Sequence, residues 1–167
     1  MDFNKLWQNF VDTVLNHYFD LKGRVGRPQF WYFVLVEVAA AIIVGIIGNI
    51  ILAGLIGPLF ALAMTLPNLG MAVRRMQDTG RNGMLAWVCF GATAVLNVIS
   101  VLTWIGGVAG ALGFLVIFFT IGWIIGLVAL ISGIAVIYFC AQPGQTEANT
   151  YGPVPPVFDP QAAPSKT

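Results

Sequence analysis

The amino-acid sequence predicts an all-α integral membrane protein with four transmembrane helices in two hairpins, an N-terminal amphipathic interfacial helix and a disordered Pro-rich C-terminal tail. Of its 167 residues, 58% are hydrophobic and only 9% are charged, and the mean hydropathy is +0.85; soluble domains carry about 25% charged residues. Residues 38–73 and 82–146 contain no Asp, Glu, Lys or Arg. The formal net charge of +1 excludes the strongly basic surface of a nucleic-acid-binding domain.

The first apolar stretch, residues 30–73, is too long for one transmembrane helix. At about 1.5 Å per residue it would extend about 66 Å, roughly twice the hydrocarbon thickness that a span crosses. The chain therefore has to turn, and residues 54–58 (Gly-Leu-Ile-Gly-Pro) suit a turn followed by a helix start. We place spans near 30–53 and 57–73. The second is short and contains Pro67, so a kink or partial re-entry is left open there.

The second apolar stretch turns in the same way at residues 106–110 (Gly-Gly-Val-Ala-Gly). We place the third span near 84–104 and the fourth near 112–139. The fourth is longer than a bilayer requires, which predicts tilt or an extension beyond the membrane. Small residues recur in it at helical spacing: Gly122, Gly126, Ala129 and Gly133. Such a stripe permits close helix contact, which we expect within the bundle rather than between copies.

The basic residues predict the orientation of the spans. All eight lie before the first span, between the second and third, or after the fourth: Lys5, Lys22, Arg24, Arg27, Arg74, Arg75, Arg81 and Lys166. With four spans they all fall on one side, and the positive-inside rule then puts both termini in the cytoplasm. A two-span arrangement would leave the central arginines outside, which argues against it.

The segments flanking the transmembrane domain (residues 30–140) differ in character. Residues 1–29 combine an amphipathic helix, with apolar side chains at helical spacing from Phe3 to Phe19, and a basic linker. The aromatic side of this helix is expected either in the headgroup boundary or against the cytoplasmic end of the bundle. Residues 141–167 form a polar, Pro-rich cytoplasmic tail that we predict to be disordered, with residues 151–153 (Tyr-Gly-Pro) as a local docking element.

Three polar side chains inside the spans are candidate functional residues: Glu37, Asn68 and Asn97. Glu37 is the one ionisable residue within a predicted span, about 10 Å from its cytoplasmic end. A carboxylate in the membrane is costly, so it indicates either a proton or cation role or pairing with a neighbouring arginine. The asparagines either hydrogen-bond across helices or line a narrow polar path.

The densest polar stretch is residues 74–83 (Arg-Arg-Met-Gln-Asp-Thr-Gly-Arg-Asn-Gly), between the second and third spans. Together with the arginines before the first span, it is expected to form a cytoplasmic rim. The rim comprises Arg24, Arg27, Arg74, Arg75, Asp78 and Arg81. Its guanidinium groups suit anionic lipid headgroups, a phosphate or a partner protein. The alternative is that these residues only set the topology and brace the loop through Asp78.

Enzyme signatures are largely absent from the sequence. Cys89 and Cys140 lie in different spans without metal-site spacing, and the single histidine, His17, argues against a histidine-based metal site or a Ser-His-Asp triad. No phosphate-binding glycine loop of the nucleotide type is present. We therefore predict no cofactor and no metal site.

Three short segments resemble a known family. Residues 23–32 (Gly-Arg-Val-Gly-Arg-Pro-Gln-Phe-Trp-Tyr), the arginine-rich loop at 74–83 and Tyr-Gly-Pro at 151–153 are similar to motifs of the domain of unknown function 805 family, small bacterial inner-membrane proteins of the YhaH type. This family typically has a histidine where this chain has Gln77, and bulky aromatic residues near Met84. The resemblance covers residues 18–153 and implies a bacterial plasma-membrane location and a multi-span helical fold, without an established activity.

The functional hypothesis is a non-catalytic structural or interaction protein whose Arg/Asp rim binds anionic lipid or a partner. The alternative is a small transporter or channel subunit that uses Glu37 and the span asparagines. An enzyme that acts on lipid at the rim is weaker still, because no pairing of nucleophile and base is visible. Self-association and a membrane-protein partner are both left open.

Overall fold

The computed structural model describes residues 3–52 and 54–156. This part of the chain contains helices, turns and one isolated bridge between Asn149 and Gly152, and no β-strand. The helices are α1 (Phe3–Asn16), α2 (Arg27–Leu52), α3 (Ile56–Asp78), α4 (Met84–Ile105), α5 (Gly107–Ile117) and α6 (Trp123–Ala141). A π-helical turn, Phe118–Gly122, joins α5 to α6.

Four helical segments are long and apolar enough to cross a membrane: Arg27–Gly48, Ile56–Asp78, Met84–Ile105 and Gly110–Ala141. The prediction of an all-α chain with four such segments is confirmed over the described residues. The fourth contains 32 residues, or about 48 Å of helix, against about 30 Å of hydrocarbon. The π-helical turn that interrupts it was not predicted.

The second span differs from its predicted bounds because α3 continues to Asp78 and includes Arg74 and Arg75 of the rim. Its 23 residues correspond to about 35 Å, enough to cross a bilayer. Pro67 lies inside the helix and is buried, and the helix continues on both sides of it. By length and composition this segment is one of the four candidate spans.

Glycines make the two predicted tight turns between helices. Gly54 has a φ of +90° and its N–H donates to the Gly48 carbonyl at 3.2 Å, between α2 and α3. Gly107, which begins α5, has a φ of +55°. A Cβ at the preceding Gly106 would lie 2.7 Å from the Gly110 Cα. Both turns fall where the glycine clusters predicted them, because side chains are disfavoured at these φ values and distances.

Each long helix packs on the next long helix of the chain. Helix α2 packs on α3, α3 on α4, and α4 on α6. Every residue from Leu69 to Met76 on α3 is buried. On α6 the small-residue stripe faces α4: the Cys89 thiol lies 3.8 Å from the Ala129 carbonyl oxygen, and a Cβ at Gly133 would meet that sulfur at 3.6 Å. This part of the stripe therefore packs against α4 within the molecule.

Helix α1 packs against the bundle on one side. The Asn9 side-chain N–H donates to the Gln29 carbonyl at 2.9 Å, and the Phe10 and Phe33 rings stack with centroids 5.6 Å apart. Thr13 is buried beside Met71 of α3. Of the two placements expected for this helix, contact with the bundle is present in the structure.

The tail differs from the sequence-based expectation between residues 142 and 156. This segment, hereafter the tail segment, lies against the end of α3 and the linker at residues 17–26 through specific hydrogen bonds. The prediction of disorder is therefore wrong for these residues. The rest of the predicted tail, including Lys166, lies outside the described residues.

Candidate interaction site at the end of helix α3

The linker runs along the C-terminal half of α3 and brings Arg24 to its end. The Val25 N–H donates to the Arg74 carbonyl at 3.2 Å, and the Gln77 side chain donates to the Leu21 carbonyl at 3.2 Å. Gly70 permits this close approach, because a Cβ there would lie 2.8 Å from the Asp20 carbonyl oxygen. These hydrogen bonds to backbone carbonyls hold the linker on α3 in addition to any ion pair.

Asp78 sits at the centre of a buried ion cluster. Arg24 Nε donates to Asp78 Oδ1 at 2.9 Å, and Arg75 Nη1 donates to Asp78 Oδ2. The side chains of Arg24, Arg75 and Asp78 are only 1%, 0% and 5% exposed. We call these three residues the arginine–aspartate cluster. A buried carboxylate with a charged donor on each oxygen is fully paired, which is the condition for stable burial of charge.

The remaining N–H groups of Arg75 bind carbonyl oxygens at the end of α6. Its Nε donates to the Cys140 carbonyl at 3.0 Å, and its Nη2 donates to the Gln142 carbonyl. Its Nη1 also lies 3.4 Å from the Val25 carbonyl oxygen. One guanidinium group therefore joins α3, α6 and the linker.

Arg24 binds the tail segment in the same manner. Its Nη2 donates to the Gln145 carbonyl at 2.5 Å, and its Nη1 donates to the carbonyls of Glu147 at 2.7 Å and Gly152 at 3.4 Å. Three carbonyl oxygens from residues 145–152 converge on this one side chain. The tail segment is consequently folded around Arg24.

The cluster contains two guanidinium groups but one carboxylate, and two helix ends supply the missing negative charge. Helix α3 ends at Asp78 and α6 ends at Ala141, beside the carbonyls that Arg75 binds. The C-terminus of a helix carries a partial charge of about −0.5, so two such ends contribute about −1. The sum is close to neutral, which explains why the cluster holds two arginines without a second acid.

Further contacts place the tail segment on the end of α3. The Gln145 N–H donates to the Asp78 carbonyl at 2.9 Å, and the Asn149 side chain donates to the Gln77 carbonyl at 2.9 Å. A Cβ at Gly144 would overlap the Asp78 carboxylate. Within the predicted docking element at residues 151–153, the Gly152 carbonyl accepts from Arg24, and the Tyr151 N–H donates to the Asn149 side-chain oxygen at 2.9 Å.

The other predicted rim residues do not join this cluster. Arg74 is buried and pairs with Asp20 at 3.4 Å, on another side of α3. Arg81 is half-buried, with its guanidinium carbon 4.3 Å from the centroid of the Phe139 ring. Arg27 is exposed and begins α2. The structure thus brings Arg24, Arg75 and Asp78 together but does not form an open ring of guanidinium groups, because four of the five have partners inside the molecule.

The polar residues of the spans find nearby partners. Asn68 Nδ2 donates to Glu37 Oε1 at 2.6 Å, which links α3 to α2. This amide, rather than an arginine, is the partner that the structure gives Glu37. Asn97 Nδ2 donates to the Thr93 carbonyl of its own helix at 2.9 Å. Glu37 and Asn68 therefore form one interhelical contact, and Asn97 bonds within α4.

Sequence reasoning missed the partners supplied by the tail segment, including Asn149, and the pairing of Asp20 with Arg74. The tail segment also borders an open cavity of about 310 Å³ beside Gly26, Pro28 and Asp78. No group of three His, Cys, Asp or Glu side chains in the described parts of the chain has a metal-binding arrangement. Two glycines in the sequence could have indicated that the tail segment packs closely on the end of α3. A Cβ at Gly80 would meet the Gln145 side chain, and a Cβ at Gly144 would meet the Asp78 carboxylate.

These features define a helical membrane protein with four candidate spans and a buried arginine–aspartate cluster at the end of the second. The chain matches the family described as Protein of unknown function (DUF805) over residues 18–153 and belongs to that family. The resemblance to this family is thereby confirmed.

Curated relatives carry names that agree with a membrane location. The chain is 31% identical over 142 residues to Inner membrane protein YhaI of Escherichia coli K12, covering 84% of this chain and 89% of the relative. It is 26% identical over 148 residues to Inner membrane protein YhaH of the same organism, covering 85% of this chain and 92% of the relative. Neither name describes an enzymatic activity. No solved structure matches this chain.

Proposed function

We propose that this protein is a non-catalytic structural or interaction protein whose arginine–aspartate cluster holds the tail segment as a fixed surface at the cytoplasmic end of the bundle. The observation that carries the proposal is the convergence of three tail carbonyls on Arg24 while Asp78 binds both Arg24 and Arg75. Both carboxylate oxygens of Asp78 are engaged by guanidinium groups. Such a group is suited to fixing structure rather than to transferring protons.

The threading that we propose is two hairpins with both termini in the cytoplasm. The contacts of Arg24 support it, because they bring the linker, the end of α3 and the tail segment to one end of the bundle. The cations of these segments then share one side, in accord with the positive-inside rule. A cysteine placed at Gly107 tests the threading: it should react with an impermeant reagent outside intact spheroplasts, and protection until lysis would contradict it.

Anionic lipid headgroups are the ligand that we propose for Lys22 and Arg27, two exposed cations outside the cluster. Lys22 and Arg27 are exposed, and Arg27 is the first residue of the apolar helix α2. A cation at the start of a span lies at headgroup level, where each Lys or Arg near an anionic surface contributes about 1 kcal/mol. The rim function is thus assigned to these two residues rather than to the buried arginines.

Lipid mass spectrometry of purified protein tests this assignment. The double variant Lys22→Ala, Arg27→Ala should retain several-fold less anionic phospholipid than the wild type, because it removes both exposed cations. Glu147→Gln is the matched control, since it alters an exposed charge at the same end and raises the net charge; it should retain at least the wild-type amount. Equal lipid retention in the double variant and the wild type would end the headgroup proposal.

Transport is a second candidate function, favoured by the hydrogen bond between Glu37 and Asn68 within two candidate spans. A carboxylate in a span is a recurrent feature of proton and ion pathways. Proton flux into liposomes that contain the purified protein distinguishes the candidates. Flux that disappears in Glu37→Gln would replace the structural proposal with the transport one, whereas wild-type vesicles no leakier than empty ones would support the structural proposal.

A further inference from the structure

The apolar surface of α1 is wider than its contact with the bundle. With about 100° between successive residues, Leu6 and Phe10 lie on the side that faces the bundle, and Trp7, Val11 and Leu15 lie on the neighbouring side. Phe10 stacks on Phe33, but Trp7 and Leu15 remain 51% and 73% exposed. We call Trp7, Val11 and Leu15 the outer apolar strip.

The next side of α1 is polar. Gln8, Asp12 and Asn16 follow at the spacing of one helical turn, and Asn16 Nδ2 donates to Asp12 Oδ1 at 2.8 Å. His17 lies 3.8 Å from the same Asp12 carboxylate. The helix therefore has three sides: one against protein, a mainly apolar one on which Trp7, Leu15 and also Asn4 are exposed, and a polar one. This is the arrangement of a helix that lies along the boundary between a membrane and water.

The chain that leaves α1 connects this helix to the apolar outer surface of α4. The Phe19 ring meets the Trp87 ring edge to face at 6.4 Å, and both side chains are about half exposed. Beyond Trp87 the same outer face of α4 carries the exposed side chains of Val95, Val98 and Leu102. In a spanning helix such a face contacts lipid, and aromatic residues at its end mark the interface.

We infer that the outer apolar strip of α1 docks into the headgroup–acyl boundary of the same bilayer, so that its partner is a lipid surface. The strip exposes on the order of 300 Å² of apolar side chain, well below the roughly 800 Å² per partner of a stable protein interface. Its connection through Phe19 to the face of α4 that contacts lipid favours the bilayer over a second copy. Docking of this strip is independent of headgroup binding by Lys22 and Arg27.

Fluorescent labelling of single introduced cysteines tests the inference in proteoliposomes. Leu15→Cys probes the outer apolar strip, and Asn16→Cys is its matched control on the polar side. The native Cys89 and Cys140 are buried, and labelling of the wild-type chain measures their background. With an environment-sensitive fluorophore, we expect the label at 15 to be quenched at least twofold more than the label at 16 by spin-labelled lipid, and at least twofold less by aqueous iodide.

Two outcomes would overturn the inference. Equal quenching by iodide at both positions would mean that the strip faces water. A label at 15 that is protected from iodide and also from spin-labelled lipid, with protection lost when the protein is diluted in lipid, would mean that a second copy covers the strip. If labelling at 15 disturbs folding, quenching of Trp7 fluorescence by brominated lipid in a variant with its other four tryptophans replaced by Phe supplies the same comparison.

Discussion

The C-terminal half of α3 and the arm formed by α5 and α6 belong to the same bundle but are surrounded differently. From Leu69 to Met76 every residue of α3 is buried in protein, including two arginines. In the arm, large apolar side chains such as Phe119, Leu130 and Ile131 are 74%, 59% and 66% exposed. The first region depends on specific polar partners, whereas the outer face of the second is apolar and suited to contact with lipid.

Removing Asp78 should have the largest effect, because it leaves Arg24 and Arg75 buried without their carboxylate. Removing one partner of a buried ion pair typically costs about 3–5 kcal/mol. Asp78→Ala should therefore lower the free energy of unfolding by about that amount in a denaturing-detergent titration in mixed micelles. Glu147→Gln, at an exposed position near the same end, should change it by less than about 0.5 kcal/mol.

Loss of less than about 1 kcal/mol in Asp78→Ala would show that the cluster does not stabilise α3. Asp78→Asn refines the comparison, because the amide keeps one acceptor oxygen and loses the charge. We expect it to fall between the wild type and the alanine variant.

Truncation of the tail segment should have the next largest effect. Ending the chain after Ala141 removes the three carbonyl partners of Arg24 and the Gln142 carbonyl bound by Arg75. Each hydrogen bond to a charged group contributes about 1.5–3 kcal/mol, and water replaces part of this loss, so we expect a decrease of about 2–3 kcal/mol. Ending the chain after residue 156 is the matched control, since it removes none of these contacts.

The same unfolding titration should give wild-type stability for the control truncation. If both truncations unfold like the wild type, the tail segment is not held as the contacts describe.

Paired glycine substitutions contrast the two regions directly. In Gly144→Ala the new methyl group would overlap the Asp78 carboxylate, and we expect a loss of about 1–3 kcal/mol as the tail segment shifts. In Gly113→Ala on α5 there is open space around the new methyl group, and alanine is the better helix former by about 0.5–1 kcal/mol. Unfolding titrations of the two variants should therefore shift in opposite directions; equal shifts would contradict the contrast.

Conservative changes on the lipid side should have the smallest effect. Ile131→Leu keeps an apolar side chain of the same volume at a position that is 66% exposed, so we expect a change of less than about 0.5 kcal/mol. Met71→Leu makes a similarly conservative change inside α3, where Met71 is fully buried, and should cost up to about 1.5 kcal/mol. Identical free energies of unfolding for the two variants would contradict the claim that the buried part of α3 is more sensitive to side-chain shape than the exposed face of α6.

The spans were predictable because apolar length and glycine clusters are local signals. The end of α3 was harder, since Arg74 and Arg75 indicate a loop by composition while their burial depends on partners elsewhere in the chain. The acceptors of Arg24 lie more than a hundred residues away, at Gln145, Glu147 and Gly152. Pairing at that separation leaves no periodic pattern in the sequence.

The tail segment was predicted to be disordered because its composition cannot bury enough apolar surface alone. In the structure it is held by polar contacts with Arg24 and Asp78 instead, which a composition argument does not count. The π-helical turn at Phe118–Gly122 was also not predicted; it contains Thr120, whose hydroxyl donates to the Val116 and Ile117 carbonyls at 2.9 and 3.0 Å.

A double-mutant cycle on Arg24 and Asp78 tests the central claim most directly. Free energies of unfolding would be measured for the wild type, Arg24→Met, Asp78→Asn and the double variant under one set of micelle conditions. If the cluster joins linker to α3 as described, the coupling energy should be at least about 1.5 kcal/mol, within the range of residues in direct contact. Additivity of the two single changes within about 0.5 kcal/mol would contradict the account.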